Sequence, residues 1–354
     1  MRDERRTTGG TTLAVLHVEG DFGADGDFGA DGGSGSDGGS GSDGGSGARG
    51  DSGVQVGKGA GSGASDSWEA VRVRADELIA ECGAVLVRGL GIADAAAFHR
   101  TVTRFGDSLI GSYRGGNTPR ATVSDGVFTS TEYPARYDIS LHNEMSYAKA
   151  WPTRLYFCCL DAADTGGATP VCDGEALLAG LAPEVRARFA DGVVYHQHLH
   201  GGFGLGKSWQ ATFETEDKAV VEEFLTASEA EFTWTEDGGL RVRQHRPGIR
   251  KNPRTGRDTW FNQADQWHPS NLPPEEAETL LSLIDDHDEL PHWITYADGT
   301  PLSDEDLADV RASQRANRIA EPWQAGDIMI VDNMSVLHGR EAFTGTRKVV
   351  VSMT

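Results

Sequence analysis

The sequence contains few cysteines and no long apolar run. Its four cysteines, Cys82, Cys158, Cys159 and Cys172, include no C-x-x-C pair, so they indicate neither a disulfide framework nor a zinc-ribbon site. The apolar stretch nearest the N-terminus covers only residues 13–18, which is too short for a signal peptide. No apolar run reaches the roughly 18 residues that a membrane span requires. We therefore expect a soluble cytoplasmic protein.

Positively charged residues are also scarce relative to acidic ones. The chain has 32 Lys and Arg against 54 Asp and Glu, which gives a formal net charge of −22. Proteins that bind nucleic acids usually carry a basic patch or stripe, and an anionic membrane surface attracts cations by the same electrostatics. We therefore expect neither a nucleic acid nor a membrane as a partner.

Glycine is abundant, but it is concentrated in one segment. Residues 20–66 hold 19 of the 46 glycines in Gly, Ser and Asp repeats, and this composition cannot bury enough apolar surface to offset the entropy of ordering. We predict a disordered low-complexity tract there. It would separate an N-terminal segment, residues 1–19, with a possible strand at 13–18, from a single domain at 67–354.

Short strand patterns and a smaller number of helices fill that domain. A helical pattern of apolar residues begins at Trp68 and ends before Gly83, and Asp94 can cap a second helix. Strands are predicted at 84–87, 141–147, 154–160, 232–235, 240–244, 259–262, 327–331 and 348–353, and further helices at 174–189, 216–228, 273–286 and 303–318. Many short strands with helices outside them favour a mainly β sandwich or barrel with flanking helices.

His142 and Glu144 lie two residues apart in one of the predicted strands. Alternate residues of a strand point to the same side, so an imidazole nitrogen and a carboxylate oxygen could meet at one point. Together with a distant histidine, such a pair makes the 2-His-1-carboxylate set that binds Fe(II) in oxygenases. The H-x-E spacing alone is equally compatible with an ordinary surface strand.

The C-terminal sequence favours the metal site over the ordinary surface strand. An apolar strand runs into Asp-Asn, a His-Gly pair follows at His338, and Arg347 comes nine residues later. With the stretches SDGVFTSTEYP, LHNEMSYA, GGATPVCDG and WFNQADQWHPSNL, residues 68–354 resemble the TauD/TfdA (taurine dioxygenase-like) family of Fe(II)/2-oxoglutarate-dependent oxygenases. Within that family they are most similar to the syringomycin-type aspartyl hydroxylase group of nonribosomal peptide pathways.

The resemblance implies a double-stranded β-helix (jelly-roll) core and a set of site residues. His142, Glu144 and His338 would bind Fe(II), while Thr169 and Arg347 would hold the distal carboxylate of 2-oxoglutarate. The implied reaction consumes O2 and hydroxylates an unactivated C–H bond of an amino acid or amino acid-like group, in secondary-metabolite biosynthesis. Desaturation or epoxidation on the same scaffold stays open.

Two positions refine what the resemblance implies. Glu144 retains an oxygen ligand, whereas the halogenating relatives carry a small residue there, so hydroxylation is favoured. Taurine-type enzymes have a second arginine four positions after the first, and this chain has Val351 instead. A taurine or sulfonate substrate is therefore not expected.

One motif suggests a different class of protein. Residues 201–208 match the phosphate-binding pattern G-x-x-x-x-G-K-[ST], which would make the chain a nucleotide hydrolase that uses Lys207. That motif should follow a buried parallel strand and open a helix, but the residues before it are alternating and polar, and those after it look extended. We favour a loop at the mouth of the active site, where Lys207 or Trp209 contacts the substrate. Asn262 either lines the same pocket or is a satisfied buried amide.

Three alternating histidines, His196, His198 and His200, could share one face of a strand and bind a second metal ion. No carboxylate or cysteine completes the set nearby. Hydrogen-bonded or solvent-facing histidines are the simpler interpretation.

Residues 241–257 carry seven cations and no acid, which is unusual in this acidic chain. The segment forms either a solvated hairpin or a surface for an acidic partner. A carrier protein bearing the amino acid-like substrate would suit such a surface.

Deletion of the low-complexity tract tests the predicted boundaries. A chain in which residue 19 is joined to residue 67 by a short Gly-Ser spacer should fold and keep its activity, because loop-closure entropy varies only with the logarithm of loop length. Thermal unfolding and turnover, measured beside the full chain, provide the check. Loss of folding would show that the tract is structural.

Overall fold

The structure is a computed structural model. It describes residues 1–19, 22, 62–106, 108–111, 115–116, 121–124, 126–130, 133–284 and 286–354. The predicted tract at 20–66 lies outside these residues, apart from Phe22 and residues 62–66. The N-terminal part of the first helix is described by its backbone alone.

The strands and helices are as follows. The strands are β1 Arg2–Thr8, β2 Thr11–His17, β3 Ala84–Arg88, β4 Thr122–Ser124, β5 Val127–Thr129, β6 Ile139–His142, β7 Arg154–Asp161, β8 Thr165–Gly166, β9 Val171–Asp173, β10 Val193–Leu199, β11 Glu231–Trp234, β12 Leu240–Arg246, β13 Ile249–Lys251, β14 Asp258–Trp260, β15 His292–Tyr296, β16 Ile328–Asp332, β17 Val336–Arg340, β18 Phe343–Thr344 and β19 Lys348–Met353. The helices are α1 Ser62–Cys82, α2 Ala95–Thr103, α3 Gly174–Ala179, α4 Pro183–Ala190, α5 Trp209–Phe213, α6 Lys218–Ala227, α7 Ala264–Trp267, α8 Pro274–Ser282 and α9 Asp304–Asn317.

The largest sheet is buried on both faces. Among the described residues it has the strand order β1-β2-β3-β16-β7-β19-β5-β4, and it is antiparallel except where β2 runs beside β3. In β16, Ile328 and Ile330 join the cluster that contains α1 and α2, whereas Met329 and Val331 face the opposite side. Because both faces are covered, β16 is an uninterrupted apolar run rather than an alternating one.

A smaller sheet packs against the inner face of the large one. Its order is β6-β17-β9, and both pairings are antiparallel. Val171 of β9 and Val336 of β17 share one buried cluster with Leu155 and Phe157 of β7. Two facing sheets of this kind, with helices outside, form a jelly-roll core, which confirms the predicted fold class.

The segment between β9 and β16 forms additional sheet and helices outside the jelly-roll core. It contains a four-stranded antiparallel sheet in the order β11-β12-β10-β15. Trp209 and Phe213 of α5, and Val221 and Leu225 of α6, pack against the β12 side of this sheet. The helices α3, α4 and α9 contribute to another buried cluster with β10 and β15.

The N-terminal residues belong to the large sheet. A strand is predicted at residues 13–18 and the structure has one at Thr11–His17, where Leu13 and Leu16 are fully buried. The edge strand β1 was not predicted, because its sequence RDERRTT has no apolar face. An edge strand does not need an apolar face, and among the described strands β1 pairs only with β2. An ion pair of 2.9 Å between the side chains of Arg6 and Glu4 lies along the strand.

Helix starts agree well with the sequence, whereas some helix lengths do not. The Asp94 carboxylate accepts a bond of 2.7 Å from the backbone N–H of Ala97, and Ser303 caps α9 in the same way. The helix predicted at 174–189 is divided because Pro183, which cannot donate a helical hydrogen bond, begins α4.

Two other helix boundaries differ from the predicted ones. The helix predicted at 273–286 ends at Ser282, and α1 already begins at Ser62, inside the predicted tract. A deletion of that tract should therefore stop before Ser62. No helix in the described part of the chain is both long and apolar enough to cross a membrane.

Candidate metal centre

Three side chains converge between the two sheets of the jelly roll. His338 lies opposite His142 in the β17–β6 pairing, and their ring centroids are 4.4 Å apart. Glu144 Oε2 lies 3.8 Å from His142 Nε2 and 3.7 Å from His338 Nε2. All three residues are buried. Across the described residues, this is the group of His, Cys, Asp and Glu side chains whose ligand atoms are close enough to hold a metal ion.

Glu144 reaches this point through a turn rather than along a strand. The predicted strand at 141–147 is wrong beyond His142, where β6 ends, and a turn follows. Met145 in that turn has φ = +54°, a left-handed conformation that is uncommon for residues with a Cβ. The convergence of His142 and Glu144 is therefore found, but the alternation of side chains along a strand does not produce it.

The side-chain amide of Asn333 fixes the backbone of that turn. Its Oδ1 accepts a 2.7 Å bond from the N–H of Glu144, and its Nδ2 donates to the carbonyls of Glu144 at 2.9 Å and Pro152 at 2.8 Å. Asn143 returns a bond of 2.8 Å to the carbonyl of Asn333. Asn333 is fully buried, so one amide joins the turn after β6 to the turn between β16 and β17.

Asn333 belongs to the Asp-Asn pair of the C-terminal motif, and no function was predicted for it. The available signal was a polar Asp-Asn pair directly after a fully apolar strand. A buried amide at such a position must find hydrogen-bond partners, but the sequence does not reveal which ones.

The orientation of His142 suits a metal ligand. Its Nδ1 lies 2.9 Å from the carbonyl oxygen of Ser140, and because a carbonyl only accepts, Nδ1 carries the proton. Nε2 is then left with its lone pair facing Glu144 and His338. Two imidazole nitrogens and one carboxylate oxygen on one side of a point are the donor set of non-heme Fe(II) sites. The residues present therefore fit this metal.

A cavity beside the triad ends in a partly buried arginine. It is lined by Ser130, Ile139, His142, Phe157, Thr169, His338, Gly339, Arg340, Arg347 and Val349. Arg347 Nε donates to the carbonyl of Gly167 at 2.8 Å, while the terminal nitrogens have only long contacts, 3.4 Å to Thr169 Oγ1 and 3.5 Å to Ser130 Oγ. Both terminal nitrogens can therefore donate hydrogen bonds to a charged acceptor, such as a carboxylate, in the cavity.

Burial and a nearby cation act on Arg347. Desolvation, with a smaller contribution from the charge of Arg340, lowers the pKa of Arg347 to about 10. The guanidinium therefore remains a cation at neutral pH. Gly167 permits its close approach, because φ is +72° there and a Cβ would lie 3.1 Å from Arg347 Cδ.

Thr169 completes the polar end of the cavity. It is 2% exposed, and its Oγ1 accepts a bond of 3.2 Å from Trp323 Nε1. With Arg347 also donating to it at 3.4 Å, the hydroxyl proton of Thr169 is left for an acceptor. The predicted residues His142, Glu144, His338, Thr169 and Arg347 thus lie around one centre.

None of the three predicted substrate contacts is among the residues that line the cavity beside the triad. Asn262 is buried, and its amide donates to Gly248 O at 2.8 Å and accepts from Ala264 N at 2.9 Å. Trp209 is buried in an apolar cluster. Both side chains therefore have structural partners that leave no evident group for a substrate. Lys207 Nζ donates to the carbonyl of Gly116 at 3.1 Å, and its substrate contact stays a prediction.

The nucleotide-binding alternative is contradicted by the surroundings of residues 201–208. The preceding strand, β10, is antiparallel to both of its neighbours, β12 and β15, whereas a phosphate-binding loop follows a parallel strand. The short helix α5 does follow the loop, contrary to the extended segment predicted there. However, Ser208 caps α5 by accepting from Ala211 N at 3.1 Å, and Lys207 is held by a backbone carbonyl.

The three alternating histidines, two in β10 and His200 directly after it, form no second metal site among the described residues. His196 contacts Thr295 Oγ1 at 3.2 Å, and His198 Nδ1 lies 3.3 Å from a backbone carbonyl. His200 accepts a bond of 3.1 Å from the N–H of Gly202. They are hydrogen-bonded histidines, as the simpler interpretation has it.

The cations of residues 241–257 do not form one exposed surface. Arg246 is buried and donates to four backbone and side-chain oxygens. Arg254 donates to carbonyls at the C-terminal end of α1, and the guanidinium of Arg250 packs over the Trp151 ring at 4.3 Å. The segment does contain the predicted hairpin, formed by β13 and β14 around residues 252–257, but its cations do not form an open patch.

Comparisons with known proteins find several chains that are similar to this one. The dapdiamide synthesis protein DdaC of Enterobacter agglomerans is 35% identical over 279 residues, which cover 78% of this chain and 84% of that protein. A clavaminate synthase-like protein of Arabidopsis thaliana is 31% identical over 292 residues, covering 78% and 83%. The crystal structure of PvcB from Pseudomonas aeruginosa matches with a TM-score of 0.46 and 17% identity, covering 80% of this chain and 78% of that chain.

The sequence model of one family matches nearly the whole domain. It is the taurine catabolism dioxygenase TauD, TfdA family, and the match runs over residues 59–354, which include the triad and both residues at the polar end of the cavity. The chain therefore belongs to the TauD, TfdA family and is a non-heme Fe(II)/2-oxoglutarate-dependent dioxygenase.

Proposed function

We propose that the chain hydroxylates an unactivated C–H bond of an amino acid or amino acid-like group in secondary-metabolite biosynthesis. The observation that carries this proposal is a single cavity that is lined both by two histidines of the triad and by the partly buried Arg347. Such a cavity suits a co-substrate that chelates a metal at one end and carries a carboxylate at the other. The relative named for dapdiamide synthesis supports a biosynthetic pathway.

In this proposal His142 Nε2, His338 Nε2 and Glu144 Oε2 hold the iron. Two neutral imidazoles and one carboxylate leave the remaining positions of the metal open for 2-oxoglutarate, O2 and water. The bound iron and 2-oxoglutarate supply the oxidising chemistry. The chain itself fixes the ligands, because the Ser140 carbonyl orients His142 and Asn333 holds the Glu144 turn.

Arg347 and Thr169 bind the distal carboxylate of 2-oxoglutarate. The two terminal nitrogens of the guanidinium can donate in parallel to two carboxylate oxygens, and the Thr169 hydroxyl adds a third donor. Phe157 and Val349 line the same cavity. Their apolar side chains limit the access of water to this end of the site, and this strengthens the charged hydrogen bonds there.

Hydroxylation is favoured over halogenation because Glu144 occupies the carboxylate position of the triad. Desaturation and epoxidation would use the same residues, so the product distinguishes these reactions. Desaturation removes two hydrogens, whereas hydroxylation and epoxidation both add one oxygen atom. Epoxidation requires an alkene in the substrate, and its product has no new hydroxyl group.

A small free substrate is favoured over one tethered to a carrier protein. The cations that could dock an acidic carrier are partly buried or bonded to backbone carbonyls, as in Arg246 and Arg254. Succinate formation with a panel of free amino acids, followed by mass spectrometry of the products, tests the proposed reaction. If succinate forms only with carrier-tethered amino acids, the proposal of a free substrate is wrong.

Replacement of His338 tests the metal assignment. His338→Ala removes one of two imidazole ligands, so the folded protein should bind Fe(II) weakly and form no succinate. His200→Ala, which removes a histidine outside the triad, should leave both properties unchanged. Metal content and succinate yield are measured on the purified proteins. Normal turnover by His338→Ala would contradict the assignment.

Replacement of Arg347 tests the 2-oxoglutarate assignment. Arg347→Lys keeps the charge but loses the two parallel donors, so the affinity for 2-oxoglutarate should fall by about 1–3 kcal/mol. Substrate affinity should change less. Arg318→Lys, at an arginine paired with Glu341, is the matched control. An unaltered dependence of the rate on 2-oxoglutarate concentration would exclude Arg347 as the anchor.

Replacement of Asn333 tests how the Glu144 turn is held. Asn333→Ala removes both bonds to the Glu144 backbone, and the loss of such a supporting residue typically lowers metal affinity about 10- to 100-fold. Asn317→Ala is the control, because it removes another buried amide, which accepts a bond of 2.8 Å from Gly10 N. It should destabilise the fold without lowering the affinity for iron. Iron affinity is measured by competition with a chelator. Equal metal affinities of the two variants would contradict the role of Asn333.

A further inference from the structure

Arg340 is a second arginine in the cavity beside the triad. It ends β17, two residues after His338, and it lines the same cavity as Thr169 and Arg347. The residue is 6% exposed. Neither the motifs of the sequence nor the proposed roles of the other site residues give Arg340 a function.

Most of its guanidinium is held by backbone carbonyls. One terminal nitrogen donates to Tyr133 O at 2.9 Å, and the other donates to Pro134 O and Tyr137 O, both at 2.8 Å. These three bonds fix the plane of the group. Nε is buried and has no hydrogen-bond partner among the described residues, so one N–H of a fixed cation is left without an acceptor.

No ion pair neutralises the charge of Arg340. Among the described residues, no carboxylate forms an ion pair with Arg340 or Arg347, and the charge of Asp138 acts on Arg340 without forming one. Two neighbouring arginines do have such partners. Arg318 pairs with Glu341, and Arg311 Nε lies 2.7 Å from Asp265 Oδ1. An unpaired buried charge is costly, so a cavity with two such cations is suited to an anionic ligand.

We propose that Arg340 is a second anchor for the distal carboxylate of 2-oxoglutarate, with its Nε–H donating beside Arg347. This proposal rests on the proposed function of the cavity. Arg340 would select dicarboxylate co-substrates over 2-oxo acids that have only one carboxylate. Its fixed plane means that little side-chain entropy is lost when the ligand binds.

An outer cavity offers an alternative place for the anion. It has a volume of about 480 Å³, lies between α9 and residues 133–141, and is lined by Arg340 as well as by Arg311, Arg315 and Arg318. Its wall also carries the carboxylates of Asp138, Asp265 and Glu341, and two of these pair with Arg311 and Arg318. None of the described residues that line the inner cavity is acidic. The inner cavity, where Arg347 is equally unpaired, is therefore the better match for an anion held by Arg340.

Two ligands of equal chain length provide the test. The full chain is loaded with Mn(II), which takes the place of iron without supporting turnover, and is titrated calorimetrically with 2-oxoglutarate and with 2-oxopentanoate, which has a methyl group in place of the distal carboxylate. Arg340→Gln should raise the dissociation constant for 2-oxoglutarate about 10- to 100-fold, the loss expected for a hydrogen bond between charged groups. Its affinity for 2-oxopentanoate should change less than twofold.

The controls separate this role from a structural one. Arg318→Gln, in the wall of the outer cavity only, should affect neither ligand. If Arg340→Gln weakens both ligands equally, Arg340 merely holds the 133–137 turn; if it weakens neither, its charge serves the outer cavity. Either result overturns the proposal. If Arg340→Gln does not fold, Arg340→Lys, which lacks Nε–H, is compared in the same way. A parent chain that shows no Mn(II)-dependent binding of 2-oxoglutarate would instead overturn the proposed function.

Discussion

The side-chain amide of Asn333 is the contact on which the geometry of the candidate metal centre depends. The two histidines come from adjacent strands, so the pairing of β6 with β17 sets their separation. Glu144 has no such constraint, because it lies in a turn with a left-handed residue beside it. The bonds from Asn333 to both backbone groups of Glu144 supply the missing constraint. The Asn333 amide can be buried because it is hydrogen-bonded to backbone N–H and C=O groups, which also need partners when they are buried.

The contact between Asn333 and Glu144 explains why the sequence predicted the residues of the triad but not the turn that positions Glu144. The apolar run of β16 and the caps at Asp94 and Ser303 are local signals, and the structure confirms them. The triad was predicted from motifs, and His142 and Glu144 do meet. The turn after β6 depends on Asn333, which is nearly 190 residues away, and no local pattern contains that information. The charged edge strand β1 was missed for a related reason, since pairing with β2 and not side-chain pattern creates it.

Charge composition proved to be a weaker guide than charge placement. The chain carries an excess of 22 negative charges, yet the cavity next to the triad presents two arginines without carboxylate partners. Conversely, the seven cations of residues 241–257 looked like a docking surface in the sequence, but several of them serve the fold. Arg254 donates to the end of α1, where the carbonyls of a helix favour a cation. A run of like charges therefore indicates a partner only when its side chains have no structural acceptors.

This distinction also separates the two ends of the cavity beside the triad. At the metal end, the chain provides one negative charge, on Glu144, and two neutral imidazoles, which suits a divalent cation. At the other end it provides two positive charges, on Arg340 and Arg347, and the hydroxyl of Thr169. With Fe(II) bound, these charges sum to plus three, and a doubly negative 2-oxoglutarate reduces the sum to plus one. The site is therefore still slightly cationic when the co-substrate is bound.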